Sequence, residues 1–278
     1  KKLRAALKPD SRVLIVGAGL IGLKCAEGIF GSVGSVTVVD LADRILSSIL
    51  DRDSADIIQK HLERRGLELR LSQSVGSFEG GSALLSTGER LDFDILVMAV
   101  GVRPNVSLVA DIGGKVGRGI AVNDKMETSL PDIYAAGDCV ESHDASSGQM
   151  RVMALLPNAY MQGECAGVNM AGGEASFGNA IPMNAIGFFG LHIITAGTYE
   201  GDVYFEGEGD NYKKLFYGDN RLNGYIMTGD VQKAGIYTNL IRERTPLDSI
   251  DFDLICKRPC LMAFTQADRN VKLGGAAK

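Results

Sequence analysis

The stretch from Arg12 to Asp40, RVLIVGAGLIGLKCAEGIFGSVGSVTVVD, limits the fold more than any other part of the chain. Val13 to Val16 is a short apolar run rich in β-branched residues and reads as a buried strand. Gly17, Gly19 and Gly22 follow with GxGxxG spacing, and Leu20, Leu23, Cys25, Ala26 and Ile29 then recur as one face of a helix. A second strand-like run, Val36 to Val39, ends on Asp40. Strand, glycine turn, helix, strand and terminal acid together make a dinucleotide-binding βαβ unit.

Each part has a physical task. Gly17 permits the tight turn off the first strand, Gly19 lets a pyrophosphate approach the backbone, and Gly22 lets the helix pack closely on the sheet. The diphosphate sits on free N–H groups at the positive end of the helix, around Leu20, Ile21 and Gly22. Asp40 stands where a carboxylate accepts hydrogen bonds from the adenosine ribose, and a 2′-phosphate there meets a like charge, so NAD(H) is favoured over NADP(H). A lone GxGxxG marks only a glycine-rich turn before a helix. Here the preceding strand, the following helix and an acid about twenty residues on are all in place. Arg44 either approaches the adenosine end, where it would admit a 2′-phosphate, or is a solvated arginine at a helix start; the second reading is the simpler.

Composition removes several other classes. The 278 residues are 45% hydrophobic, enough for a core and too apolar for a disordered chain. A net charge of −5 without a dense Lys/Arg block argues against nucleic acid and against an anionic membrane surface. No apolar run approaches the roughly 20 residues of a membrane span, and Lys1, Lys2, Arg4 and Lys8 are interspersed through a helical pattern rather than heading a signal peptide. Cys25, Cys139, Cys165, Cys256 and Cys260 form no CxxC pair, and their odd number suits a reducing cytoplasm. Cys256 and Cys260 read as unrelated thiols, and His61, His143 and His192 are too scattered for a metal site.

Along the chain, Ala55, Ile58 and Leu62 predict a second helix stopped by Gly66, and Leu67 to Leu71 a third parallel strand. A meander follows over Ser74–Phe78, Ala83–Ser86 and Arg90–Phe93, before a last buried strand, Ile95 to Val100. Beyond the GVRPN exit at Gly101, Ile133 to Ala136 reads as a short strand ending in Gly137–Asp138, and Met153 to Ala171 as a helix with Pro157 near its start. From Ile181 strand-like runs take over: Ile193–Thr198, Asp202–Glu206, Lys213–Tyr217 and Arg221–Thr228, with a helix over Ile236–Arg242. Lys213 and Lys214 read as an exposed strand edge. The expected fold is α/β: a Rossmann-type domain over 1–100, a second unit over 101–180, and a C-terminal α+β unit with an antiparallel sheet over 181–278.

The sequence AVGVRPN, then METSLPDIYAAGDC, then LLPNAYMQG, in that order after GAGLIG, resembles the pyridine nucleotide-disulfide oxidoreductases. Within them it is most similar to the NADH oxidase, coenzyme A-disulfide reductase, rubredoxin reductase and nitrite reductase flavoprotein group. The resemblance covers nearly the whole chain, and YAAGD is its most telling motif. It implies FAD as a second cofactor, making 101–180 the C-terminal part of an FAD-binding domain and 181–278 an interface domain. It also implies that Gly137 and Asp138 hold the ribityl chain of the flavin. The helix start at Leu156, Pro157, Asn158 and Ala159 then faces the flavin pyrimidine edge, and Gly101 lines the nicotinamide approach. Phe188 and Phe189 either face a flavin in the whole enzyme or pack in the core, and core packing is the simpler reading.

Two departures from the family pattern are visible. The resemblance implies a first FAD segment of about a hundred residues, most of an ordinary domain, ahead of the NAD unit. This chain opens just before that unit, so it reads as a C-terminal piece of a longer flavoprotein, with half of the FAD site. The redox cysteine belongs to that first segment, and none of the five cysteines here occupies its position, so the catalytic residues are unknown. Lys24 also stands where relatives usually carry Glu, in IGLE.

The function implied is hydride transfer from NADH to flavin, and onward to a disulfide, a small redox protein or oxygen. The C-terminal unit is a candidate homodimer contact. The alternative is a non-catalytic NAD-binding or assembly module.

Overall fold

In the computed structural model, which describes residues 2–274, contacts divide the chain into two units. One runs to Val102 and includes Ile186–His192; the other takes Arg103–Ala185 and the residues from Ile193 onward.

The first unit is built on alternation along its strands. A short helix, α1 (Lys2–Ala6), precedes β1 (Arg12–Val16), α2 (Leu20–Ile29), β2 (Ser35–Val39), α3 (Arg52–Arg64) and β3 (Glu68–Arg70). A meander of β4 (Val75–Glu79), β5 (Ser82–Leu85) and β6 (Arg90–Asp92) leads to β7 (Ile95–Met98). The parallel sheet has the order β3-β2-β1-β7, with Val13 level with Val36 on one side and Ile95 on the other. Leu14 and Val39 pack with Ala83 and Leu85 of the meander. Their neighbours Val13, Ile15, Val36 and Val38 are buried on the opposite face, as a period of two requires. On α2 the buried positions are Gly22, Leu23, Ala26 and Ile29, one helical stripe. The α3 helix is capped by the Asp51 carboxylate, which accepts from the Ser54 N–H at 3.0 Å, and Gly66 beyond it turns the chain at φ +93°.

The second unit has sparser regular structure before Pro182: α4 (Ser107–Ala110), β8 (Ile120–Ala121), the hairpin strands β9 (Val140–His143) and β10 (Met150–Val152), and α5 (Leu156–Met170). A five-stranded sheet follows, from β11 (Met183–Phe188), β12 (Leu191–Gly197), β13 (Asp202–Glu208), β14 (Asn211–Gly218) and β15 (Arg221–Thr228), in the order β11-β12-β15-β14-β13. The helices α6 (Ala234–Arg242), α7 (Phe252–Lys257) and α8 (Gln266–Gly274) close the described chain. Tyr225, Tyr237, Leu240 and Ile255 are fully buried at the centre of this part. Burial pushes the Tyr225 hydroxyl up to about 12 and the Cys256 thiol up to about 11, so neither ionises at neutral pH. None of the described helices is long and apolar enough to cross a membrane.

Three local expectations change. Ile133 to Ala136 is not a strand: its backbone is spent on a local loop, with Thr128 N–H donating to Ile133 C=O at 2.9 Å and Ala135 N–H to Met126 C=O at 3.1 Å. The α5 helix starts at Leu156 rather than Met153: its N-cap Leu155 is extended at φ −135°, and Pro157 stands in the first turn, where its missing N–H leaves no bond unmade. Lys213 and Lys214 lie on β14, which is flanked by β13 and β15, so they are not on an edge; Lys213 pairs with Glu206 at 2.6 Å and is largely covered.

Candidate functional site

The glycines of the first βαβ unit differ sharply in what surrounds them. Gly17 has φ +115°, and a Cβ there would overlap the carbonyl of Ala99 just beyond β7. A Cβ on Gly22 would overlap the Gly17 carbonyl. Both are therefore required for the fold. Gly19 sits at φ −81°, a conformation open to any residue, and a Cβ there would have no protein atom within 4 Å. The backbone at Gly19 thus borders open space at the N-terminus of α2.

That N-terminus carries no side-chain cap. The first N–H groups of a helix have no intrahelical acceptor, so those of Leu20, Ile21 and Gly22 are available to an anion. Ile21 is exposed and Leu20 half-buried, so the turn faces outward. The Asp40 carboxylate accepts from Ala18 N–H at 2.5 Å and from Ala42 N–H at 2.7 Å. It thereby ties the end of β2 to the glycine turn.

A cleft of about 600 Å³ runs over this turn, lined by Gly17, Gly19, Asp40, Ser47, Met98 and Gly101 among others. It lies at the carboxyl ends of β1, β2 and β7, where open parallel sheets bind their ligands. Gly101 has φ +103° with open space in front of it, so the exit from β7 borders the same cleft. The dinucleotide residues expected from the sequence are thus brought together within the first unit.

Lys24 points elsewhere. Its ammonium pairs with Glu27, donates to the Gly187 carbonyl at 3.0 Å and stands 5.5 Å from the centre of the Phe188 ring. Glu27 in turn accepts from Phe189 N–H at 2.6 Å, and Phe189 packs edge-on against Phe30. Lys24 and Glu27 together hold the β11–β12 hairpin tip. Phe189 there is in the left-handed region at φ +48°.

In the second unit Gly137, Asp138 and the start of α5 also converge. Gly137 turns at φ +86°, and a Cβ there would lie 3.6 Å from Ala159. Its N–H donates to Gln162 Oε1 at 2.8 Å, while Gln162 Nε2 donates to Ser142 Oγ at 3.0 Å. Asp138 is exposed, and its carboxylate has no hydrogen bond or ion pair within the described residues. Leu156 is 85% exposed, and α5 begins without a side-chain cap. Asn158 differs from its neighbours: it is fully buried, its Nδ2 donates to Ile181 C=O at 3.1 Å, and its Oδ1 has no partner among the described residues. Its side chain therefore braces the helix start.

Sequence reasoning did not single out Gln162. It lies one helical turn beyond Asn158 on the same buried stripe, which continues to Cys165, Ala166 and Asn169. A polar pair at i, i+4 on the inward face of a helix was the available signal.

The βαβ glycine turn with its acid-tethered loop, and the second glycine–aspartate turn against an uncapped helix, are the two candidate sites of the chain. The model of the pyridine nucleotide-disulphide oxidoreductases matches residues 1–163, and that of the rubredoxin NAD+ reductase C-terminal domain matches residues 182–245. The chain belongs to the pyridine nucleotide-disulphide oxidoreductase family. It is 42% identical to the NADH oxidase of Methanocaldococcus jannaschii over 170 residues, covering 60% of this chain and 38% of that one. It is 30% identical to the NADH-rubredoxin oxidoreductase of Clostridium acetobutylicum over 253 residues, covering 90% of this chain and 63% of that one. Among solved structures, the NAD-dependent persulfide reductase from A. fulgidus aligns with a TM-score of 0.80 at 27% identity, over 87% of this chain and half of its own. The chain thus spans less than two thirds of the length of each of these relatives.

Proposed function

We propose that this chain carries the NADH site and part of the FAD site of a flavin-dependent NADH oxidoreductase. The observation that carries the reading is Gly19: a helix N-terminus with free N–H groups opens onto space that no protein atom fills, in the same cleft as Asp40 and Gly101. A diphosphate matches that turn in charge and shape. Asp40 receives the adenosine ribose, Leu20, Ile21 and Gly22 offer N–H groups to the diphosphate, and Gly101 borders the nicotinamide side.

Asp138, Gly137, Leu156, Asn158 and Ala159 are assigned to FAD. A carboxylate without a partner among the described residues suits ribityl hydroxyls, and the α5 N-terminus favours negative charge nearby. NADH held at the first set of residues and FAD held at the second would supply hydride-transfer chemistry. The chain's own residues bind and orient the two nucleotides. The onward acceptor is a disulfide, a small redox protein or oxygen; relatives named as NADH oxidase and NADH-rubredoxin oxidoreductase support that range. The functional division is 1–100 for NAD, 101–180 for FAD and 181–278 for an interface. The two family matches, ending at 163 and starting at 182, support a boundary between the second and third parts. A homodimer through the third part, in the cytoplasm, completes the proposal, and light scattering at high concentration tests the dimer.

The functional test is a pair of titrations on one purified sample, NADH by its fluorescence and FAD by flavin quenching. NADH is expected to bind saturably and FAD only weakly, since this chain carries part of the FAD site, and neither is expected to displace the other. Mutual exclusion would mean one shared site and would overturn the two-site reading.

A further inference from the structure

Beside Asp40 lies a set of charges that the dinucleotide reading leaves unused. Three residues on, the Asp43 carboxylate engages two guanidinium groups: Arg44 Nη1 donates to Oδ1 at 2.9 Å, and Arg52 Nη2 donates to Oδ2. Arg44 is not the solvated helix-start residue expected from the sequence. It sits eight residues before α3, its side chain is 28% exposed, and its Nε is buried without an acceptor among the described residues. Its Nη2 lies 3.5 Å from the Ser47 carbonyl, and Ser47 lines the cleft. An arginine with spare donors therefore touches a residue of the cleft lining, and one of its guanidinium nitrogens is held by an acid.

A guanidinium fork matches a phosphate as well as it matches a carboxylate. We propose that Asp43 is a specificity-determining residue of the cleft: by engaging Arg44 and Arg52 it withholds from the ribose 2′ position the two cations that would accept a 2′-phosphate. The inference rests on the dinucleotide reading and extends it from the ribose hydroxyls to a second tier of charge. With Asp40 and Asp43 both present, the two arginines are neutralised. Without Asp43 the group carries one net positive charge beside the ribose, and without both acids it carries two. Solvent-exposed ion pairs contribute little to folding, and Asp43 and Arg52 are 47% and 60% exposed. Removing the acid should therefore change ligand preference more than stability.

The test is equilibrium titration of the full chain with NADH and with NADPH. The native chain is expected to bind NADH more tightly. Asp43→Asn is expected to lower the ratio Kd(NADPH)/Kd(NADH) roughly tenfold, the scale of one hydrogen bond to a charged group. Adding Arg44→Ala and Arg52→Ala to Asp43→Asn should restore the native ratio, and added salt should shrink the effect. Asp43→Ser carries the same expectation and replaces Asp43→Asn should that variant melt early. An unchanged ratio in a folded chain that binds NADH overturns the role of Asp43 and leaves the dinucleotide reading intact. Failure of the folded native chain to bind either nucleotide overturns both.

Discussion

Asp40 holds the N–H of Ala18 at 2.5 Å, twenty-two residues earlier in the chain, so the acid at the end of β2 fixes the glycine turn before any ligand arrives. Its other oxygen holds Ala42. Asp40→Ala is expected to narrow the preference for NADH over NADPH and also to lower stability. A hydrogen bond to a charged group is worth about 1.5–3 kcal/mol, so the loss should register in denaturant unfolding. A variant with native stability would contradict the tether.

The glycines separate binding from folding. Gly19→Ala places a methyl in open space at an ordinary φ, so its stability should stay within about 1 kcal/mol of native while dinucleotide affinity falls. Gly22→Ala drives a methyl into the Gly17 carbonyl and is expected to destabilise by about 1–3 kcal/mol. Thermal melts of the two proteins side by side check the contrast.

At the second site Asp138 and Gln162 should behave oppositely. Asp138 is exposed and unpartnered within the described residues, so Asp138→Ala should keep stability within about 0.5 kcal/mol and weaken FAD binding. Gln162→Leu leaves the Gly137 N–H without its acceptor and should cost about 1–3 kcal/mol. Flavin quenching and urea unfolding read the two effects separately.

Glu27 gives the hairpin tip a pH dependence. Burial raises its carboxyl pKa, but the hydrogen bonds from Lys24 and from Phe189 N–H more than offset that, and the result lies below the ordinary 4.5. A depressed folded value means the stabilisation is fully present above the unfolded value and is lost as pH falls through the folded one. The stability difference between the native chain and Glu27→Gln should be constant above about pH 5 and shrink below it. A difference that grows on acidification would contradict the clamp.

Much of this architecture is legible in the sequence wherever burial follows a simple period. Val13–Val16, buried on both faces as a continuous apolar run, the α2 stripe and the Asp40 terminus are such cases. The hairpin strand β9 is not: Ser142, buried at its centre, is polar and is satisfied by Gln162, so no hydrophobic alternation marks it. Likewise β11, MNAIGF, carries a polar residue and a glycine and gains its strand character from pairing with β12. At Ile133–Ala136 the apolar run is real, but the left-handed turns at Met126 and Asp132 direct its backbone bonds into a loop. The roles of Asp43 and Gln162 depend on partners distant in space, which no local pattern reports.

The central claim is that the cleft over Gly19 is a dinucleotide site. Calorimetric titration of the purified chain with NADH tests it most directly, run beside a Gly19→Ala protein whose native fold has been confirmed by its melt. One saturable site, displaced by NAD+ and weakened in Gly19→Ala, is the expected result. No saturable uptake by the folded native chain, or equal affinity in both proteins, would contradict it.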